Sequence, residues 1–156
     1  MALEVERKFH VPDAAFLAGL AGKQLRQVYL AQGSLTVRVR IVDDARALLT
    51  LKGAPAGLTR AEFEYVIPLQ DALDMAACEG ALELSKTRYL VEYSGNAWEV
   101  DVYRGVLAGL CTAEIEAPSE AAAMAVALPS WLGREVTGVR AWDNDQLAEH
   151  GRPCTT

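Results

Sequence analysis

The sequence predicts an α+β fold in which about eight antiparallel strands outnumber three or four short helices. Three observations predict it. Apolar and polar residues alternate with period two in segment after segment. Helical spacing is confined to short stretches bounded by Pro, Ser and Gly. The polar positions of successive strands are nearly all ionic and fall in phase. A chain of 156 residues suits a single domain spanning residues 1–156.

The elements follow in chain order. Residues 3–11, LEVERKFHV, alternate as a strand with Glu4, Glu6 and Lys8 on one side. Residues 12–22, PDAAFLAGLAG, predict a helix from Pro12 to Gly22 with Phe16, Leu17 and Leu20 on one face. Tyr29, in QVYLAQG, precedes the next strand. That strand, SLTVRVRIV at 34–42, groups Thr36, Arg38 and Arg40 opposite Leu35, Val37, Val39 and Ile41. ALLTLKG at 47–53 pairs Thr50 with Lys52. A loop, GAPAG, leads to RAEFEYVIP at 60–68, which sets Arg60, Glu62 and Glu64 against Ala61, Phe63 and Tyr65. QDALDMAACEG at 70–80 predicts a helix capped by Asp71 and stopped by Gly80. LELSKTRYLVEY at 82–93 is one long strand carrying Lys86, Arg88 and Glu92 together. SGN turns it into AWEVDVY at 97–103, with Glu99 and Asp101 on one side. LCTAEIEA at 110–117 groups Thr112, Glu114 and Glu116. A helix from Ser119 to Pro129, a short eighth strand REVTG and a helix DNDQLAEHG complete the chain.

Composition excludes several classes. A net charge of −6 and a pI near 4.9 argue against nucleic acid or an anionic membrane as the main partner, but allow a local basic site. Cys78, Cys111, Cys154, His10 and His150 form no metal-ligand spacing. The thiols are expected free, with Cys78 and Cys111 buried. The start of the chain shows no signal pattern, and no apolar stretch is long enough to span a bilayer, so the expected location is the cytoplasm. LAGLAGK lacks the first glycine of a P-loop, and no G-x-S-x-G elbow is present.

The strand polar faces carry the acids Glu4, Glu6, Glu62, Glu64, Glu99, Asp101, Glu114 and Glu116 and the bases Lys8, Arg38, Arg40, Lys52, Arg60, Lys86 and Arg88. A sheet of this kind has two options. It lies open with the ionic side in water, or it curls into a barrel with the ionic side inward. Burying charge costs several kcal/mol per ion unless partners neutralise it. A closed lumen therefore requires acids, bases, metal and an anion to balance one another. Arginine forks and lysines suit phosphate oxygens. Clustered carboxylates suit Mg²⁺ or Mn²⁺.

The order of these motifs resembles the CYTH, or triphosphate tunnel metalloenzyme, superfamily. EVERK matches its opening E-x-E-x-K. There follow R-x-R at Arg38 and Arg40, Lys52 in TLKG, E-x-E at Glu62 and Glu64, K-x-R at Lys86 and Arg88, E-x-D at Glu99 and Asp101, and E-x-E at Glu114 and Glu116. REVTG resembles its closing segment, with Trp142 where a tyrosine is expected. The resemblance implies an eight-stranded antiparallel β-barrel, a triphosphate tunnel with a few flanking helices. It implies metal-dependent hydrolysis of a triphosphate, inorganic triphosphate first. Thiamine or nucleoside triphosphate, adenylate cyclisation and non-catalytic polyphosphate binding are the alternatives. Carried over, Glu4, Glu6, Glu114 and Glu116 are metal ligands for Mg²⁺ or Mn²⁺, with Glu62, Glu64 and Asp101 as further candidates. Lys8, Arg38, Arg40, Lys52, Arg60, Lys86 and Arg88 hold phosphate. Lys8, Glu64 and Tyr29 are the catalytic candidates, Tyr29 as a proton acceptor. A homodimer is compatible with apolar outer strands.

Overall fold

The computed structural model describes residues 2–154. Eight antiparallel strands close into a barrel: β1 (Leu3–His10), β2 (Lys23–Ala31), β3 (Leu35–Val42), β4 (Arg46–Gly53), β5 (Thr59–Ile67), β6 (Leu82–Tyr93), β7 (Asn96–Tyr103) and β8 (Cys111–Glu116). Around the barrel their order is β1-β5-β4-β3-β2-β6-β7-β8. Three short α-helices accompany them: α1 (Leu69–Ala76), α2 (Glu120–Ala125) and α3 (Asn144–His150).

The register converts sequence parity into an inside and an outside. Gln27 and Tyr29 lie opposite Arg40 and Arg38, Arg38 opposite Thr50, and Thr50 opposite Glu64. Lys52 lies opposite both Thr36 and Glu62. Glu6 faces Glu116 and Lys8 faces Glu114. Directly opposed residues share a face of the sheet, so this chain of pairs carries the ionic side around the inner wall. The in-between positions point outward into apolar clusters. Phe9, Trp98, Val100, Ala113 and Ile115 form one. Val28, Val39, Ile41 and Ala47 form a second beneath Ala72 of α1.

One barrel end is plugged. The inward-facing Tyr29, Leu84 and Tyr103 pack with Trp142 and with Leu147 of α3. Elsewhere β1 makes the seam. It pairs with β5 only through residues 3–5 and with β8 through residues 6–10.

Several expectations are corrected. The count of eight strands holds, but its membership differs: β2, unassigned in the sequence, replaces REVTG. Glu135 of that segment makes only an isolated bridge to Phe9. The segment instead lies along the end of β1, where Val136 N donates to Lys8 O at 2.8 Å and Gly133 N to His10 O at 2.8 Å. Residues 12–22 form only a single 3-10 turn, Ala15–Leu17. Gly19 takes a φ of +83°, a conformation that a helix interior does not contain. Helix α1 starts one residue after Pro68, so Asp71 sits in its first turn and does not cap it. Cys78 lies beyond the end of α1 and is exposed; Cys111 is buried as expected. Ser119 does cap α2, accepting from Ala122 N at 3.1 Å. Among the described residues no helix is long and apolar enough to cross a membrane.

Candidate active site

The lumen holds a cavity of about 190 Å³. Its walls are Glu4, Glu6, Lys8, Tyr29, Thr36, Arg38, Arg40, Lys52, Arg60, Glu62, Glu64, Arg88, Glu99, Glu114 and Glu116, with Asp143, Asn144 and Asp145 at the α3 end. Among the described residues no aliphatic side chain lines it, so it offers little to an apolar ligand and much to an ionic one.

The acids of β1 and β8 form one wall and the bases of β3 and β4 another. Lys52 Nζ bridges them, 2.8 Å from Glu4 Oε2 and 3.0 Å from Glu62 Oε2. Lys8 Nζ stands 3.0 Å from Glu114 Oε1. Arg38 Nη2 donates to Thr50 Oγ1 at 3.1 Å and lies 3.4 Å from Glu64 Oε2. Thr50 Oγ1 in turn donates to Glu64 at 2.9 Å. Arg38 Nε is buried and makes no hydrogen bond. A buried donor without a partner costs about 1–3 kcal/mol, and its position in the lumen suits an incoming anion.

Two candidates do not reach the cavity. Asp101 and Lys86 share the inner face with Arg88 but are both fully buried. Asp101 Oδ1 accepts from Arg88 Nε at 2.7 Å, and its Oδ2 accepts from Arg88 Nη2 at 2.8 Å and Lys86 Nζ at 2.5 Å. Both oxygens are thus engaged. Asp101 was expected as a metal ligand and Lys86 as a phosphate ligand; in this geometry the pair braces Arg88. Arg88 itself remains in the lumen, where it also pairs with Glu99 and Glu114. Arg60 lines the rim but turns its guanidinium back onto Gly53 O, at 3.0 and 2.8 Å.

Charge crowding marks the acid wall. Burial, with Glu6 and Glu62 adding repulsion against the pull of Lys52, pushes the Glu4 carboxyl up to about 8. Burial and Glu114 also raise Glu6. Glu114 is buried too, yet Lys8, Arg88 and Lys86 hold it well below the usual carboxylate range. Among the cations, burial and the neighbouring Arg38 and Arg88 push Arg40 down to about 10. Burial, partly offset by Asp101, pushes Lys86 down to about 7. Burial raises the Tyr29 phenol even though Arg38, Arg40, Lys52 and Lys8 favour its ionised form.

Sequence reasoning missed Gln27, Thr50 in its role beside Glu64, and the 143–145 segment. Gln27 had a signal: it stands two residues before Tyr29 and so shares its face. The 143–145 segment had none, because α3 reaches the lumen only through tertiary packing. Arg140 is no lumen group; it binds Asp145 at 2.8 and 2.5 Å and Asp143 at 2.7 Å. That clamp holds the start of α3 at the plugged end.

Among the described residues no three His, Cys, Asp or Glu side chains converge into a cation cage. Glu6 and Glu116 nevertheless oppose each other directly across β1 and β8. A hard divalent cation commonly takes one or two carboxylates and completes its shell with substrate phosphates and water. The donor set fits that mode and does not supply an all-protein cage.

The CYTH domain family model matches residues 2–136. A protein of Acetivibrio thermocellus named inorganic triphosphatase is 38% identical over 153 residues, covering 96% of both chains. One of Nitrosomonas europaea with the same name is 36% identical over 148 residues, covering 93% of this chain and 96% of its own. A crystal structure of an inorganic triphosphatase superposes with a TM-score of 0.65 at 34% identity, covering 92% of this chain and 96% of that one.

Proposed function

The chain belongs to the CYTH domain family, and from that premise we propose that it hydrolyses a terminal phosphoanhydride of inorganic triphosphate with Mg²⁺ or Mn²⁺. The observation that carries this reading is the lumen itself: six cationic side chains and no aliphatic one, with a buried Arg38 Nε still to be satisfied. The relatives named inorganic triphosphatase support the same substrate.

Phosphoryl transfer needs charge neutralisation and an in-line nucleophile more than covalent chemistry. Arg38, Arg40, Lys52, Lys8 and Arg88 approach the cavity from four strands and bind the phosphate chain along its length. Arg40 and Arg38 stand two residues apart on β3, so they grip oxygens on one side of it. Glu6 and Glu116 are the ligands for the divalent ion, with Glu4 and Glu114 beside them. When bound, the ion supplies Lewis-acid stabilisation of phosphate charge. A cation held there would also offset the burial and crowding that raise Glu4 and Glu6. Glu64, held by Thr50 and Arg38, orients the attacking water.

Phosphate release from inorganic triphosphate, ATP and thiamine triphosphate, measured with each metal beside a cyclic AMP assay, tests the reading. Release is expected from inorganic triphosphate above the others. Release from none of them rejects hydrolysis and leaves polyphosphate binding.

One observation favours organic triphosphates as a second reading. A groove of about 600 Å³ lined by Leu3, Val5, Thr59, Ala117, Pro118, Ser119 and Glu120 shares Glu116 with the lumen. It offers a partly apolar seat for a thiazole or base. ATP or thiamine triphosphate outrunning inorganic triphosphate in kcat/KM selects that reading. The three free cysteines support a reducing, cytoplasmic setting. Exposed Phe63 and Tyr65 on the outer face of β5 support pairing of two copies, which light scattering on the purified chain checks.

A further inference from the structure

Gln27 is wholly buried on the inner face of β2, directly opposite Arg40 and two residues before Tyr29. Arg40 Nε donates to Gln27 Oε1 at 3.1 Å, and Gln27 Nε2 donates to Tyr29 Oη at 2.9 Å. The amide has only one workable orientation. A guanidinium carries donors and no acceptor, so the carbonyl oxygen must face Arg40. The reverse orientation would set the NH₂ against the Arg40 donor and leave both unpaired in a buried place. The NH₂ is therefore fixed toward the phenol, and the phenol oxygen is an acceptor within the wall. Its own hydrogen cannot point at that NH₂. Tyr29 lines the cavity, so the remaining direction is the lumen, on the side of Arg38.

We propose that Gln27 is a positioning residue: pinned by Arg40, it turns the hydroxyl hydrogen of Tyr29 into the lumen as a donor to a phosphate oxygen. The inference rests on the triphosphate reading of the lumen given above. Tyr29 then clamps charge that grows on the phosphate in the transition state. Burial, which keeps this phenol protonated well into the alkaline range, agrees with a donor and disfavours a water-activating base. Arg40 is tied into the same chain, so phosphate binding at its guanidinium and orientation of the phenol are coupled through one amide.

Three variants test this. Tyr29→Phe removes the donor and is expected to lower kcat roughly 10- to 100-fold, the range of one hydrogen bond to a charged oxygen. Gln27→Glu keeps size and shape, but its carboxylate accepts from both Arg40 and the phenol. It draws the hydroxyl hydrogen away from the lumen, and kcat is expected to fall as far as in Tyr29→Phe. A packing role alone would leave this isosteric change near wild type. The double variant is expected to be no worse than Tyr29→Phe by more than about threefold, because Gln27 acts through Tyr29. Wild-type kcat in Gln27→Glu, or losses that multiply in the double variant, overturns the proposal. A pH–rate profile for Tyr29→Phe that is lowered but unchanged in shape supports a donor; loss of the rising limb makes Tyr29 a base and overturns it. If wild-type protein releases no phosphate, the triphosphate reading has failed on its own terms. Calorimetric binding of inorganic triphosphate then decides: affinity weakened about tenfold by Tyr29→Phe sustains the donor, and equal affinity removes it.

Discussion

Arg38 is held from one side and free on the other. Thr50 and Glu64 fix its Nη2, while Nε waits unpaired inside the barrel. Arg38→Ala is expected to raise KM for inorganic triphosphate about tenfold or more, since charge-assisted contacts to phosphate are among the strong ones; an unchanged KM in steady-state assays would remove Arg38 from the site. Glu116→Gln preserves volume but removes one of the two opposed carboxylates of β1 and β8. It is expected to cut kcat about 100-fold or more while the far-ultraviolet circular dichroism stays that of the wild type. Full activity with Mg²⁺ would reject Glu116 as a ligand. At this scale the sequence revealed which face each charged residue takes, because strand parity is strict. It did not reveal depth. Glu99 and Asp101 share a face, yet Glu99 borders the cavity and Asp101 is sealed behind Arg88. Nothing in alternation separates the two.

Among the elements, β2 was hidden for a physical reason. Its inner positions carry Leu25, Gln27 and Tyr29, and its outer positions carry Val28 and Leu30. All three inner positions are buried, Tyr29 against the plug, while on the outer side Val28 and Leu30 pack with α1 and Arg26 keeps partly to solvent, so apolar and polar residues do not alternate. The stretch 134–138 misled in the opposite way. It carries strand-forming residues, but it lies across the end of β1 as a strap, not as a ninth member of the ladder. That strap approaches closely at Gly133, where an added Cβ would meet His10 O at 2.9 Å and Pro12 Cδ at 2.9 Å. Neither neighbour is a flexible side chain. Gly133→Ala is therefore expected to destabilise the fold by about 1–3 kcal/mol, as overpacking does. Urea unfolding with an unshifted midpoint would show that the strap moves freely.

For the molecule as a whole, the crowded acids set a dependence on pH. Glu4, Glu6 and Glu99 have pKa values that burial raises, so the folded chain keeps protons there that the unfolded chain has lost. Between about pH 5.5 and 7 the native state binds the greater number, and stability must fall as pH rises. Half-buried His10, lowered by desolvation and by Arg134 and Arg152, works the other way with one group against three. Lys86 begins to titrate only at the top of this window. Thermal midpoints of the protein without added metal or triphosphate are expected to drop across that range, and Mg²⁺ with triphosphate to restore them. A midpoint that climbs instead would refute the crowding. The closed barrel and the convergence of its charges were legible from ordered i, i+2 pairs, since only an inward face makes sense of so many ions. The plug was not, because it is made by residues distant in the chain.

The seam at β1 has a consequence for how the chain is made. Both neighbours of this strand are distant in sequence: β5 lies about fifty residues on and β8 more than a hundred. A nascent polypeptide that has emerged on the ribosome only as far as β7 can zip its middle strands into a trough, but β1 still has one bare edge and its glutamates face water. Sealing waits for the arrival of Cys111–Glu116, and the ionic interior comes into being in that last step.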